Sequence, residues 1–275
     1  MKEISPYSIN AEAIIIPEVV ENDKSPSMNG MGYIFFSISP IGEAFLQNEA
    51  KANKVVLEIG AGFSDLSVEA LNKDIRSYTA NDLSQAHLEI LVARIHRRFG
   101  NSSSDKLKKL KLWHGKAPRD LPNVEDCYDA IIIDKVLHFM NPQEILQFIQ
   151  WTKRALHSEG KLYVTTVSPF SSSYEALRPM YLEKCIQGSL FPGHFQNAMR
   201  YINSEVIKKY PDFRIPDEIV LFARRDLMNL FEREEMEIVQ AYSLDIPNEK
   251  RATWCVVGDE KSNVAGVIVK NARKR

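Results

Sequence analysis

Short apolar runs alternate along this chain with longer stretches in which apolar residues return every third or fourth position. Val55, Val56, Leu57 and Ile59 form a run without clear alternation, the pattern of a parallel strand covered on both faces. Gly60 and Gly62 end it, and Ser64 or Asp65 then starts a helix predicted to reach Asn72. The rhythm returns with a strand over 76–80 and a helix over 85–99, then strands over 110–114 and 128–134. A helix over 142–156 passes through Ser158, Glu159 and Gly160 into a strand over 161–167. Strand and helix alternating five times predict a parallel sheet, and so a doubly wound α/β fold.

The flanks break this rhythm. Residues 1–53 carry Pro6, Pro17, Pro26 and the Asn29-Gly30 pair without a strong period, and read as an irregular arm. One helix, from Pro40 to about Ala50, is predicted within it, packed beside the first strand. Residues 168–215 form an insertion with two helices predicted near 174–187 and 194–209. Its rings, among them Phe170, Tyr174, Tyr181 and Phe195, suit either a lid over a reacting edge or a small core of their own. A helix over 224–235, strands over 236–243 and 253–258, and a basic tail over 271–275 complete the chain. The expected organisation is an arm, 1–53, and one domain, 54–275, with a helical lid insertion at 168–215.

Composition narrows the classes. A net charge of -1 over 275 residues gives no global pull toward nucleic acid or anionic membrane. The one local basic surface runs from Arg94 to Lys111. Cys127, Cys185 and Cys255 lack metal-binding spacing and suit free thiols in a reducing compartment. No run approaches membrane-spanning length, so a cytoplasmic protein is expected.

The glycine turn carries the chemistry. Its glycines let the backbone take positive φ and let a ligand come close. In a nicotinamide or flavin fingerprint the third glycine would stand where Asp65 is, and that carboxylate would repel a pyrophosphate at the helix N-terminus. What remains is E-x-G-x-G, opened by Glu58. Asp82, about 24 positions on in Asn-Asp-Leu-Ser, has the spacing of a carboxylate that accepts hydrogen bonds from ribose hydroxyls. Its bland alternative is to begin the next helix, for which Ser84 is the more natural cap.

This pair of motifs resembles those of the class I S-adenosylmethionine-dependent methyltransferases, and the resemblance spans 55–258. It implies a mostly parallel, seven-stranded, Rossmann-like sheet with an antiparallel last strand beside the fifth. It also implies S-adenosylmethionine as cofactor, S-adenosylhomocysteine as product, and Glu58, Gly60, Ala61, Gly62, Asp82, Leu83, Lys116, Ala117 and Asp134 as the cofactor-binding residues. The loop 115–122 is similar to the family's adenine loop, but Lys116 stands where an acid normally accepts the adenine amino hydrogens. Lysine cannot accept, so adenine falls to the backbone around Lys116 and Ala117 or to another residue.

The acceptor half is less defined. Methyl transfer from a sulfonium needs alignment more than a fixed triad. Should the acceptor need deprotonation, His138 is the foremost base, ahead of His194 and His114, against the more ordinary reading of His138 as a core or strand-capping histidine. The fourth strand lacks the N-P-P-Y stretch of amino-group methyltransferases. Asp134 resembles a first metal ligand, but Thr165 to Ser168 offer no Asp-Asn pair to finish a Mg²⁺ site, so no metal is expected. Three readings stand: a methyltransferase for a small or medium-sized molecule, an RNA or protein methyltransferase using the 94–111 surface, and a non-catalytic member of the fold.

Overall fold

The computed structural model of the chain describes residues 2–19, 23–209, 211, 213–246 and 254–271. In chain order the elements are β1 (Lys2–Ile4), β2 (Lys24–Pro26), β3 (Tyr33–Phe35), α1 (Pro40–Asn48), β4 (Val55–Ile59), α2 (Asp65–Asn72) and β5 (Ser77–Asp82). Then come α3 (Gln85–Phe99), α4 (Ser103–Leu107), β6 (Leu110–His114), β7 (Tyr128–Asp134), α5 (Pro142–Ala155), β8 (Leu156–Val167) and α6 (Arg178–Ile186). The last are β9 (His194–Gln196), α7 (Ser204–Lys209), β10 (Glu218–Val220), α8 (Arg224–Arg233), β11 (Met236–Asp245), β12 (Cys255–Val257) and β13 (Val264–Asn271).

A nine-stranded sheet in the order β1-β6-β5-β4-β7-β8-β13-β11-β12 forms the centre. β6, β5, β4, β7 and β8 run parallel, while β13 runs antiparallel between β8 and β11. Seven strands follow the expected arrangement. The two additional ones lie at the edges: β1 from the arm pairs antiparallel with β6, and β12 with β11.

Why the central strands read as continuous apolar runs is plain from their packing. Val56, Ala130, Ile132 and Tyr163 enter one core with Phe45 of α1, Leu71 of α2 and Leu91 of α3. Leu57, Ile131, Ile133 and Val164 enter the opposite core with Phe148 and Ile149 of α5 and Phe231 of α8. Each fully buried side chain of this kind stabilises by roughly 1.5 to 3 kcal/mol. The helix starts follow from local capping chemistry. Ser39 accepts from Gly42 N–H, Ser84 from His87 N–H, and Asn141 and Glu144 form a reciprocal capping box on α5.

Four expectations are corrected. The helix in the arm packs on β7, β8 and β13 rather than beside β4, so closely that a Cβ on Gly266 would meet Ile41 Cδ1 at 2.4 Å. Gly100 to Ser104, whose composition predicts a flexible loop, instead form a 3-10 turn at Gly100–Ser102 that leads into α4. In the insertion only α6 matches its forecast. The second segment is β9, a 3-10 turn and the short α7, with β9 paired to β10. Finally, the strand inserted beside the fifth is β13, not 253–258, which holds only the edge strand β12. Val264 to Val269 and Asn271 are buried because β13 has sheet on both sides; of the basic tail expected at 271–275, Asn271 belongs to β13 and 272–275 lie outside the described residues.

Candidate functional site

The sheet order reverses at β4. The chain steps outward from β4 to β5 and β6, then returns to β7 on its other flank, leaving a crevice past the carboxyl ends of β4 and β7. Gly60 and Lys135 are the first residues beyond those ends. A cavity of about 410 Å³ opens there, within the range of small-molecule sites. Of the residues singled out in the sequence, Glu58, Gly60, Ala61, Asp82, Leu83, Lys116, Ala117 and Asp134 line it.

Gly62 is joined to this wall by a hydrogen bond. Its N–H donates to Asp82 Oδ2 at 2.8 Å, so the turn after β4 and the carboxylate closing β5 meet. The turn needs its glycines: Gly60 has φ +68 and a Cβ there would lie 2.4 Å from Val136 Cγ2. Gly62 has φ +55, and its Cβ would strike Ile34 Cδ1 at 2.7 Å. Arg94 holds the turn from behind by donating to Phe63 O and pairing with Asp65, while its guanidinium lies 4.6 Å over the Phe36 ring.

Charge in the cavity is arranged in partnered groups. Glu58 is buried, accepts from Ser67 Oγ and from Tyr78 OH at 2.5 Å, and has its pKa pushed up to about 7, chiefly by burial. Asp82 Oδ1 accepts from Ser84 N–H at 2.7 Å and faces His87 Nδ1 at 3.0 Å. Lys116 pairs through Nζ with Glu144 at the start of α5, and its N–H donates to Asp120 Oδ2 at 2.9 Å. Asp134 accepts from Thr165 Oγ1 and pairs with Lys135 Nζ at 2.9 Å. Lys135 adopts φ +57, and its N–H is held by Thr165 Oγ1 at 3.0 Å. Its Nζ lies 5.2 Å from the Phe35 ring centroid and 4.9 Å from that of Trp254.

His138 does not line the cavity. It is buried against Phe139, Nδ1 has no hydrogen-bond partner among the described residues, and burial, with Lys135 adding, pushes its pKa down to about 3. A ring so placed is a core histidine, not the base expected from its position after the fourth strand. His194 is held by Glu218 at 2.7 Å, and His114 faces Leu83 O at 3.1 Å.

The insertion also departs from expectation. Tyr174, Tyr181 and Phe195 pack into a core of its own, and none of the described residues of 168–215 lines the cavity. The rings above the crevice are Tyr33, Phe35 and Phe139, and the arm supplies further wall through Ser27, Asn29, Met31 and Ile34. Asn29-Gly30 between two short extended runs was the available signal, because such pairs turn β-hairpins. β2 and β3 form that hairpin, and Tyr33 stacks on Phe213 at 6.1 Å.

Comparison with known proteins bears on the same residues. Residues 56–160 match a family model described as a methyltransferase domain. That stretch, which holds the glycine turn, Asp82 and Asp134, is thus similar to methyltransferase domains. Among solved structures, a methyltransferase from Methanosarcina mazei shares the chain's fold at 16% identity and a TM-score of 0.58, covering 86% of this chain and 100% of that one. The Burkholderia thailandensis 1,6-didemethyltoxoflavin-N1-methyltransferase, solved with 1,6-didemethyltoxoflavin and S-adenosylhomocysteine, is 14% identical with a TM-score of 0.51, covering 85% and 77%. At such identities the likeness is one of fold. No curated protein matches the chain by sequence.

S-adenosylmethionine, the cofactor that the resemblance implies, fits the residues present. Glu58, Asp82 and Asp134 give the crevice the carboxylates that a ligand with sulfonium and ammonium charges favours, and the glycine turn leaves backbone at its floor. The basic surface at 94–111 is largely neutralised by its neighbours: Arg94 pairs with Asp65, Arg98 with Glu69, Lys108 with Asp105 and Lys109 with Asp74.

Proposed function

We propose that the chain transfers a methyl group from S-adenosylmethionine to a small or medium-sized acceptor that enters between the arm and the 135–140 segment. The observation that carries this is the meeting of Gly62 N–H and Asp82 Oδ2 on the wall of a cavity at the sheet's switch point. When bound, the cofactor supplies an electrophilic methyl on a good leaving group. The protein's part is alignment, field and exclusion of water.

Asp82 and Leu83 would hold the ribose side, Lys116 and Ala117 the adenine side, and Glu58, Gly60 and Ala61 the methionine side. Asp134 and ionised Glu58 place negative charge where the sulfonium sits. Since Lys116 N–H is already taken by Asp120, adenine contact falls to the backbone at Ala117 and to the loop's apolar atoms. On the acceptor side Met31, Tyr33, Phe35, Phe139 and Met140 form an apolar, aromatic wall, with the Asp134–Lys135 pair as its charged end.

Calorimetric titration with S-adenosylmethionine tests the reading. Saturable one-to-one binding that Asp82→Ala weakens supports it. Absence of heat and of thermal stabilisation would assign the chain to the non-catalytic members of the fold.

A further inference from the structure

Asp82 has little capacity left for a ribose. An ionised carboxylate offers about four lone-pair sites. Gly62 N–H, Ser84 N–H and the His87 ring occupy three of them. A ribose presents two hydroxyls, so the second needs another partner.

The arm brings one to the same place. Met28 N–H donates to His87 Nε2 at 2.9 Å. Since Nε2 accepts, the ring's proton is on Nδ1, which donates to Asp82 Oδ1 at 3.0 Å. His87 is buried, with its edge against Phe63 at a centroid distance of 5.5 Å, so the ring has no room to turn away. Next to Met28, the side chains of Ser27 and Asn29 reach the cavity wall that Asp82 and His87 also line. Asn29 Oδ1 is held by Ser27 Oγ at 2.8 Å and by Met31 N–H at 3.0 Å, which orients the amide and leaves its Nδ2 hydrogens to donate.

We infer that the N-terminal arm is the outer half of the nucleoside site: Asn29 donates to the ribose hydroxyl that Asp82 cannot serve, and His87 is a positioning residue that ties the seating of the arm to Asp82. This rests on the reading of the cavity as an S-adenosylmethionine site. Two consequences follow from the geometry. The cofactor's ribose and the arm stabilise one another, as reciprocal linkage requires. And because β3 also carries Tyr33 and Phe35, the same seating of the arm builds the acceptor wall.

Hydrogen exchange with and without S-adenosylhomocysteine reads this out. In the wild type the ligand should slow exchange of amides at 27–35. His87→Phe keeps a ring against Phe63 but makes neither hydrogen bond, so the ligand should still bind, about tenfold more weakly, without protecting the arm. Asn29→Ala, at an exposed position, also loses the bonds from Ser27 and Met31 N–H and should lower the melting temperature only slightly, leaving the fold in place. It should weaken S-adenosylhomocysteine about fivefold and 5′-methylthioadenosine equally, because that probe keeps the ribose diol and lacks the amino-acid tail. Binding to the wild type with no response in the arm, or unaltered affinity in Asn29→Ala, overturns the inference. A wild type that takes up neither ligand overturns the cofactor reading itself, a different and separable result.

Discussion

The wall built from residues 58–64, 81–87 and 116–117 and the wall built from 31–35 and 135–140 meet in one cavity but are assembled in different ways. On the first, each polar group is fixed by neighbours from strands already side by side: Gly62 to Asp82, Glu58 to Tyr78, Asn81 to Trp113 O and Gly115 O. On the second, Tyr33 and Phe35 come from a two-stranded hairpin outside the main sheet, joined to its surroundings through side chains and single bonds, among them Met28 N–H to His87, a bridge from Met31 to Arg214 and a ring stack on Phe213. A wall braced by the main sheet can keep a fixed cofactor geometry. A wall carried on a small hairpin can be exchanged or moved to suit an acceptor, because less of the fold depends on it.

Substitutions that separate backbone strain from collision test the rigid side most severely. Gly60→Ala adds a Cβ 2.4 Å from Val136 at φ +68, and should cost about 2 to 4 kcal/mol of stability from overpacking and left-handed strain together. Gly30 in the hairpin has φ +73 with nothing within 4 Å, so Gly30→Ala should cost only the strain, about 1 to 2 kcal/mol. Urea unfolding of the two variants compares the walls directly. Equal losses would mean that the Val136 contact is not decisive.

Asp82→Ala comes next. It removes charged hydrogen bonds and should weaken cofactor binding by about 1 to 3 kcal/mol by calorimetry, whereas Phe35→Ala should leave cofactor affinity within about twofold and act on the acceptor's KM. Glu58 gives a pH signature to the rigid wall. Its native pKa of about 7 lies above the ordinary 4.5, so between those values the folded chain holds a proton that the unfolded chain has released. Stability should therefore fall as pH rises from about 4.5 to 7, and Glu58→Gln should flatten that slope in thermal melts. Over the same change the affinity for S-adenosylmethionine should rise, because an ionised Glu58 attracts its positive charges. Smallest of all, Lys116→Met should cost under about 1 kcal/mol, since the pair it makes with Glu144 is half exposed.

The two walls were unequally legible in the sequence for the same reason that they differ physically. A strand, a glycine turn and a helix follow one another within 55–72, so local propensity and the motif agree there. Asp82 was found because a single helix fixes its distance from Glu58. His87 was hidden: it occupies an ordinary inward position on α3, and only the fold shows that it bridges Asp82 to the arm. Lys135 was likewise passed over for its neighbour His138, because sequence gives the order of residues after β7 but not that φ +57 at Lys135 sends the chain onward with His138 buried. β13 was missed because the run at 253–258 already supplied the last strand that the resemblance implies. The insertion's rings followed their bland alternative, since a segment with α6 and a β9–β10 hairpin needs them for its own core.

The central claim, that the glycine turn and Asp82 together hold a nucleoside with positive sulfur, is tested most directly by titrating one preparation with S-adenosylmethionine and with ADP-ribose under identical conditions. The carboxylate-lined crevice predicts saturable binding of the first and none of the second, whose pyrophosphate would meet Glu58, Asp82 and Asp134. Preference for ADP-ribose, or equal binding of both, would contradict it.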